Sequence, residues 1–266
     1  MTVSARQPVL FLGHGSPMNA IEDNRWSRAL RELGTQLVRP RAVLAISAHW
    51  FEPAPSRLTA QAQPQTIHDF GGFPAELFAV QYPAPGAPEL AAQIAAASDG
   101  RLRTTQEWGL DHGSWSVLRH LFPAADVPVI QLSMDSRLPP AAHLALGAQL
   151  APLRDQGVLI LGSGNIVHNL GHAFRAWRAG DTSTPAWAQR FDADIAAALQ
   201  SDQPEKTVAL FQGSDAALSH PSPEHFLPLL YAVGAAGAQD QVDFPVTGFD
   251  MGSLSMRSVR FAPLPA

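Results

Sequence analysis

The sequence predicts an α/β fold, a single domain over residues 1–266 in which helices flank a central, mostly parallel sheet. Short apolar runs rich in β-branched residues alternate with stretches of helical periodicity, the pattern of strands joined by helical crossovers. Several of these runs break into a turn containing Gly or Ser with a histidine close behind, as in Gly13-His14-Gly15. Such turns are typical of the carboxyl ends of parallel strands, where α/β proteins bind their ligands.

Four apolar runs predict the central strands, and a weaker run near the end of the chain predicts a fifth. They are Val9–Leu12, Ala42–Ser47, Val127–Leu132, Val158–Gly162 and the weaker Ser255–Phe261. The helical stretches often open with proline, which is tolerated in the first turn because the N–H group there has no helical partner. These stretches are Asn24–Leu37, Pro88–Ala97, Ser116–Leu121, Pro140–Leu153, Pro185–Leu199 and Pro223–Gly234.

One segment lacks periodicity. Residues Pro53–Pro88 are rich in Pro, Gly and Gln and contain the motif His68-Asp69-Phe70-Gly71-Gly72-Phe73-Pro74. Loops of this length inside a compact domain are usually functional. We therefore expect an ordered loop that lies over the ligand crevice.

The composition excludes several classes of protein. The 266 residues are 46% hydrophobic and 15% charged, which allows a sizeable core. The net charge is −5 and Lys206 is the single lysine, so we expect neither a nucleic-acid surface nor an anionic-membrane surface. The absence of cysteine excludes disulfides, thiolate nucleophiles and cysteine-held metals. Without a signal pattern, a membrane-length apolar run or a strong amphipathic seam, we expect a cytoplasmic monomer.

Three of the ten histidines lie where strands are expected to end: His14, His49 and His168. Glycines flank His14 and permit a sharp turn with close approach of a ligand. Trp50 and Phe51 follow His49, and an apolar wall disfavours protonation, which keeps an imidazole available to a metal. Three imidazoles in one crevice can hold a divalent metal. Each of the three can also be a structural histidine with a satisfied hydrogen bond.

Three further histidines are candidates for the site. His225 is placed in the first turn of the predicted helix Pro223–Gly234, as an anchored ligand would be. His112 lies between two tryptophans, where it can act as a tuned catalytic base unless the turn simply caps the next helix. His68 can contact a substrate, whereas His168 can either bind a metal or act beside it as an acid/base. We expect surface or structural roles for His120, His143 and His220.

Other catalytic motifs do not match. The Gly-Ser turns fit neither a nucleophile elbow nor a dinucleotide fingerprint, and no Gly-Lys-Ser/Thr triplet exists for a P-loop. An all-nitrogen metal site with open positions suits zinc, iron or nickel. Zinc favours hydrolysis through a bound hydroxide, and iron(II) favours oxygen chemistry. The spacing of the histidines does not choose between the two.

Six motifs occur in a characteristic order along the chain. They are Gly13-His14-Gly15-Ser16-Pro17, Ser47-Ala48-His49-Trp50, His68-Asp69-Phe70-Gly71-Gly72-Phe73-Pro74, Asp111-His112-Gly113-Ser114-Trp115, Gly162-Ser163-Gly164-Asn165-Ile166-Val167-His168-Asn169-Leu170 and Pro223-Glu224-His225-Phe226-Leu227-Pro228-Leu229. From about residue 9 to Ser258 the chain thereby resembles the class III extradiol ring-cleavage dioxygenases, in particular their 4,5-DOPA dioxygenase branch.

The resemblance implies a metal site and its ligands. His14, His49 and His225 would bind the metal, and His168 would be either a fourth ligand or the nearby acid/base. His225 would replace the glutamate ligand of related enzymes, which raises the charge of the site by one unit. Fe(II) is then expected for activity, and Zn(II) is expected in the purified protein.

The resemblance also implies a reaction. A catechol of the L-DOPA type and O₂ would be the small-molecule partners, with 4,5-cleavage of the ring beside the diol. His112 or His168 would take and return a phenolic proton. Apolar and polar contacts to the ring would come from Trp50, Phe51, Phe70, Phe73 and His68. A zinc-dependent hydrolase and a non-catalytic metal-binding protein on the same scaffold are the alternatives.

Overall fold

An eight-stranded sheet organises the protein in a computed structural model that describes residues 6–201 and 203–264. With the separate β8–β9 hairpin, the strands are β1 (Val9–Gly13), β2 (Ala42–Glu52), β3 (Arg57–Thr59), β4 (Arg103–Thr105), β5 (Val129–Asp135), β6 (Val158–Gly164), β7 (Gln241–Val246), β8 (Phe249–Asp250), β9 (Leu254–Ser255) and β10 (Ser258–Ala262). The order across the sheet is β4-β3-β5-β2-β6-β1-β10-β7. The four central strands β5, β2, β6 and β1 are parallel, and antiparallel pairings add β3 and β10 on either side.

Helices cover both faces of this sheet. Within the described residues they are α1 (Arg25–Gln36), α2 (Ala75–Phe78), α3 (Pro88–Ala96), α4 (His112–Leu121), α5 (Pro140–Leu150), α6 (Leu170–Arg178), α7 (Ala186–Leu199), α8 (Lys206–Leu210), α9 (Ser214–Ser219) and α10 (Leu227–Ala235), with 3-10 turns at Pro17–Ala20 and Ala151–Gln156. In β1, Val9 and Phe11 pack with α5, α7 and α10, whereas Leu10 and Leu12 pack with α1 and α4. Burial on both faces explains why the central strands are continuously apolar. The predicted α/β fold is confirmed.

Two predicted helices begin elsewhere. Helix α4 begins at His112 rather than Ser116, because the Asp111 carboxylate caps it by accepting the Ser114 N–H at 3.1 Å. Helix α10 begins at Leu227, so the prolines of the preceding segment shape a turn instead. Helix α6 was not predicted, although Leu170, Ala173, Phe174 and Trp177 have helical spacing, and only Ala173 and Ala176 of its residues are buried.

The segment Pro53–Pro88 is ordered, but it is not a continuous loop, since it includes β3 and α2. Its middle runs beside the residues that precede α4. Ile67 N–H donates to the Leu110 carbonyl at 2.7 Å, and the Trp115 indole N–H donates to the Ile67 carbonyl at 2.8 Å. These bonds fix the His68–Pro74 motif against the start of α4. None of the described helices has the length and apolar content required to cross a bilayer.

Candidate metal centre

The ends of the parallel strands bring His14 and His49 together. His14 directly follows β1, and its backbone N–H donates to the Gly164 carbonyl of β6 at 3.0 Å. Gly15 then turns the chain with φ +60°, a conformation that favours glycine. His49 lies inside β2 rather than beyond it, because that strand continues to Glu52. A register irregularity before Phe51 marks this part of the strand.

His225 reaches the same place from the turn before α10, not from the first turn of that helix as predicted. Its carbonyl accepts the Asn165 N–H at 2.9 Å and packs on the end of β6. A Cβ on Gly164 would lie 2.1 Å from the His225 carbonyl oxygen, so this approach requires glycine at residue 164. The backbone of His225 is therefore fixed against the central sheet.

His14, His49 and His225 each offer a ring nitrogen, and the three atoms lie within 4.8 Å of one another. The ring centroids are 5.1 Å apart for His14 and His49, and 5.3 and 5.1 Å from these to His225. Side chains so close, drawn from three separate elements, form a compact set of nitrogen donors. Imidazole suits Zn, Fe, Cu and Ni ions.

Hydrogen bonding assigns the His14 proton. The Ser163 hydroxyl donates to the Gly113 carbonyl at 2.5 Å, so its oxygen is free to accept the His14 Nδ1–H at 2.9 Å. The His14 Nε2 then carries a lone pair and lies 3.3 Å from the Nε2 of His49. The His49 Nδ1 lies 3.4 Å from the Asp69 carboxylate, which favours the same tautomer. Two converging lone pairs fit a bound cation.

The histidines of the triangle are not themselves the cation, because they are not protonated at neutral pH. Burial, followed by repulsion from His112, lowers the pKa of His49 to about 3. Burial and the neighbouring imidazoles also place the pKa values of His14 and His225 well below the usual 6.5. Neutral imidazole is the form that binds a metal, so the buried cluster is prepared for an ion.

The same shifts predict acid lability of the metal-free protein. A histidine whose pKa is lower in the folded than in the unfolded state stabilises the fold less as the pH falls below about 6.5. Affected rings include His49, His168, whose pKa burial lowers to about 4, and His220, whose pKa burial lowers to about 3. By pH 6.0 each lowers the free energy of unfolding by about 0.8 kcal/mol.

Urea unfolding of chelator-treated protein at pH 8.0, 7.5 and 6.0 measures this effect. We expect similar midpoints at the two higher values and a lower midpoint at pH 6.0. Burial raises the pKa of the Asp111 carboxyl only to about 6. Its protonation therefore does not hide the loss of stability that the histidines cause between pH 7.5 and 6.0. Equal midpoints at pH 7.5 and 6.0 would show that these rings do not stay neutral in the folded protein.

Asp69 connects His49 with His112. Its Oδ1 accepts the backbone N–H of His112 at 2.9 Å and lies 3.0 Å from the Nδ1 of that ring, without the alignment of a hydrogen bond. The His49 and His112 ring centroids are 3.8 Å apart. Burial acts to raise the pKa of Asp69, but its contacts with His112 and His49 outweigh burial and lower it. The carboxylate therefore stays negative beside two histidines.

His168 lies beside His225 rather than within the triangle of His14, His49 and His225. The His168 and His225 rings are parallel within 5°, with centroids 3.4 Å apart. Burial, then repulsion from His112, lowers the pKa of His168 to about 4. The Glu224 carboxylate is close to both rings, and its Oε1 lies 3.1 Å from the His225 Nδ1. His168 is thus a neutral ring stacked on a neighbour.

The residues predicted to contact the substrate differ in their neighbours. Phe70 meets His112 edge to face at 5.4 Å, and Phe73 meets Phe70 in the same way at 5.4 Å. The His68 Nε2–H donates to the Val80 carbonyl at 2.9 Å, which turns that nitrogen toward the backbone. Trp50 is 2% exposed and stacks on Trp108 at 5.2 Å instead of on a histidine.

The remaining histidines have structural contacts. His120 and His220 donate through Nε2 to the carbonyls of Asn19 and Ile166, at 2.8 and 2.7 Å. His143 lies 3.0 Å from the Tyr231 hydroxyl, and all three rings are buried. The surface alternative for these residues is wrong. His172 packs edge to face on Trp187 at 5.4 Å.

The motifs contain three further residues of the site, Asp69, Ser163 and Glu224, to which the sequence assigned no role. Asp69 and Glu224 are each next to a singled-out histidine, and that adjacency was the available signal. Ser163 is 149 residues from His14 in sequence and meets it because β1 and β6 pair in parallel. Each of the three oxygens faces the Nδ1 of a different histidine in the triangle.

Known proteins are similar to this chain over nearly its whole length. Residues 8–262 match the family described as the catalytic LigB subunit of aromatic ring-opening dioxygenase. The chain is 47% identical to a 4,5-DOPA dioxygenase extradiol of Escherichia coli (strain K12), over 97% of this chain and 95% of that protein. Identity to the protein of the same name from Beta vulgaris is 39%, over 94% and 95%.

A solved structure shares the fold. The crystal structure of an uncharacterized protein from Escherichia coli K12 has a TM-score of 0.84 and 42% sequence identity to this chain. The match covers 97% of this chain and 100% of the other. The likeness therefore extends across the central sheet and both helical layers.

Proposed function

Because this chain belongs to the LigB family of aromatic ring-opening dioxygenases, we propose that its three-histidine triangle binds the metal at which a catechol and O₂ react. Family membership makes the chain an extradiol ring-opening enzyme, and the resemblance of the six motifs is confirmed. The observation that carries the metal proposal is the convergence of the Nε2 atoms of His14 and His49, 3.3 Å apart, beside His225.

Fe(II) is the metal we propose for turnover, with Zn(II) retained in the purified protein. Bound there, Fe(II) would supply open coordination positions for the two catechol oxygens and O₂. The relatives' names support an L-DOPA-like catechol and 4,5-cleavage. Phe70, which contacts His112, and Phe73 provide an apolar wall for the ring.

Proton transfer is assigned to His112 and His168. His112 lies 3.8 Å, centroid to centroid, from His49, and Asp69 holds its backbone N–H. A catechol hydroxyl that enters beside the triangle comes within reach of this ring, which accepts the proton and returns it when the ring opens. Stacking of His168 on His225 favours an acid/base role for His168 over that of a fourth ligand.

Replacement of either residue separates these roles. We expect His112→Gln and His168→Gln to lower kcat by about 10²–10⁴-fold, because each removes a proton-transfer group. The affinity for Zn(II), measured by competition with a chromophoric chelator, is expected to stay close to that of the wild type. A large loss of affinity in His168→Gln would instead identify His168 as a ligand. Glu89→Gln, at an exposed site, is the control.

The experiment that tests the function starts from metal-free protein loaded anaerobically with Fe(II) or Zn(II). L-DOPA is added, then air, and both O₂ uptake and a yellow ring-opened product are followed. We expect product with Fe(II) alone. If neither metal gives O₂ uptake and the Zn(II) protein hydrolyses a substrate, the result would support a hydrolase. If the protein binds metal but shows no turnover, the result would support a non-catalytic metal-binding protein.

A further inference from the structure

We infer that Glu224 is a positioning residue that holds the His225 ring through its Nδ1. Its carboxylate also supplies, next to the site, the negative charge that a carboxylate ligand would provide. The inference rests on the proposed metal site. Oε1 of Glu224 lies 3.1 Å from the His225 Nδ1, the ring nitrogen that the metal does not need. A carboxylate at that position accepts the Nδ1–H and leaves the Nε2 lone pair for the metal.

The carboxylate is itself held in place. The Ser222 hydroxyl donates to the same Oε1 at 2.8 Å, so one oxygen serves two donors. The Glu224 side chain is 22% exposed and the His225 side chain 7%, which places the pair at the edge of the buried cluster. A partly desolvated carboxylate interacts with its neighbours more strongly than one on the open surface.

Two contacts of its ring and one of its backbone constrain His225. Glu224 fixes its edge through Nδ1, His168 covers one face at 3.4 Å, and the backbone is fixed by the Asn165 N–H. Rotation of the ring about χ2 would break the Glu224 contact and the stack together. Loss of Glu224 therefore frees one of the three metal donors to turn away.

The charge of the site also involves Glu224. Three neutral imidazoles around a divalent ion leave two positive charges uncompensated by the ligands. Asp69 lies 3.4 Å from the His49 Nδ1, and Glu224 lies 3.1 Å from the His225 Nδ1. Two carboxylates therefore contact the histidine rings on the nitrogen that does not face the metal. A carboxylate that accepts from a ligating imidazole raises its basicity. The all-histidine triangle is thus compensated from its surroundings.

A direct role of Glu224 as a ligand is the competing explanation, because its oxygen, His168 and His225 also lie within 4.8 Å of one another. Against it, Oε1 is already engaged by His225 and Ser222. The His168 and His225 planes are parallel within 5°, whereas ligands of one ion point their lone pairs at a common centre. The geometry favours Glu224 as support for His225.

Glu224→Gln and Glu224→Ala test the inference, with Glu89→Gln as the matched control on an exposed carboxylate. Gln keeps an acceptor oxygen but removes the charge, and Ala removes both. We expect Zn(II) affinity, from chelator competition, to fall about 10–100-fold in Glu224→Gln and further in Glu224→Ala. The thermal unfolding midpoint of each metal-free variant checks that the fold is retained.

X-ray absorption at the zinc edge distinguishes support from ligation. We expect the same number of nitrogen and oxygen ligands in the wild type and in Glu224→Gln. Loss of one ligand in the variant would overturn the inference, because Glu224 would then bind the metal itself. Affinity within twofold of the wild type in Glu224→Gln would overturn it too.

Ser222→Ala supplies an internal check. Since the Ser222 hydroxyl acts through Glu224, its removal should weaken Zn(II) binding in the wild type but not in Glu224→Ala. Equal losses in both backgrounds would contradict the inference. If the wild type itself binds no Zn(II), the proposed metal site fails, an outcome separate from failure of the role of Glu224 alone.

Discussion

Replacement of His14 by alanine is expected to abolish ring-opening activity by removing one of three metal donors. Its Nε2 lies 3.3 Å from the Nε2 of His49, and its Nδ1 is held by Ser163. Structural zinc sites bind with about 10–16 kcal/mol, and on that scale the loss of one donor of three costs about 3–5 kcal/mol. That corresponds to about 10²–10⁴-fold in affinity.

Two measurements check this expectation. Chelator competition gives the Fe(II) and Zn(II) affinities, and an oxygen electrode gives turnover with L-DOPA after anaerobic loading with Fe(II). His172→Ala is the matched control, since that histidine packs on Trp187 outside the triangle and its loss should leave both quantities unchanged. Wild-type affinity in His14→Ala would mean that the metal binds elsewhere.

Gly164→Ala is expected to damage the site without removing any polar group. The new Cβ would lie 2.1 Å from the His225 carbonyl oxygen and 3.0 Å from its carbonyl carbon. Both contacts are to backbone, so the turn that holds His225 has to shift. Overpacking of this kind costs about 1–3 kcal/mol of stability, and the displaced ring should weaken metal binding by at least about tenfold.

The matched control is Gly171→Ala in helix α6, where the nearest atoms to a new Cβ are 3.5 Å away. Alanine in a helix is favoured over glycine, so this variant should be as stable as the wild type or slightly more stable. Urea unfolding and chelator competition are measured on both variants. If Gly164→Ala keeps wild-type metal affinity, the position of His225 is not set by its contact with β6.

The central strands could be read from sequence because they are buried on both faces and appear as continuous apolar runs. His14 was found for the same reason, since the run of β1 ends abruptly in Gly13-His14-Gly15. His225 was a candidate from its place at a predicted helix start, and its assignment as a metal ligand came from the resemblance. Its predicted location was wrong because Pro223 suggested a helix start, whereas the chain makes a turn before Leu227.

Contacts between distant parts of the chain left no local pattern. The Ser163 contact with His14 exists only because β1 pairs with β6, and Asp69 meets His112 only because the loop is pinned beside α4. The stack of His168 on His225 likewise depends on two turns that follow different elements. The ring roles predicted from sequence remain predictions that the variants above test.

Each ring of the triangle has an oxygen close to its Nδ1: Ser163 and Asp69 come from other elements, and Glu224 comes from the same turn as His225. The rotational freedom of these rings is consequently given up when the chain folds, before any ion arrives. Metal uptake should then require little reorganisation of the three donors. The ion present is then decided by supply and donor preference more than by any remodelling of the protein.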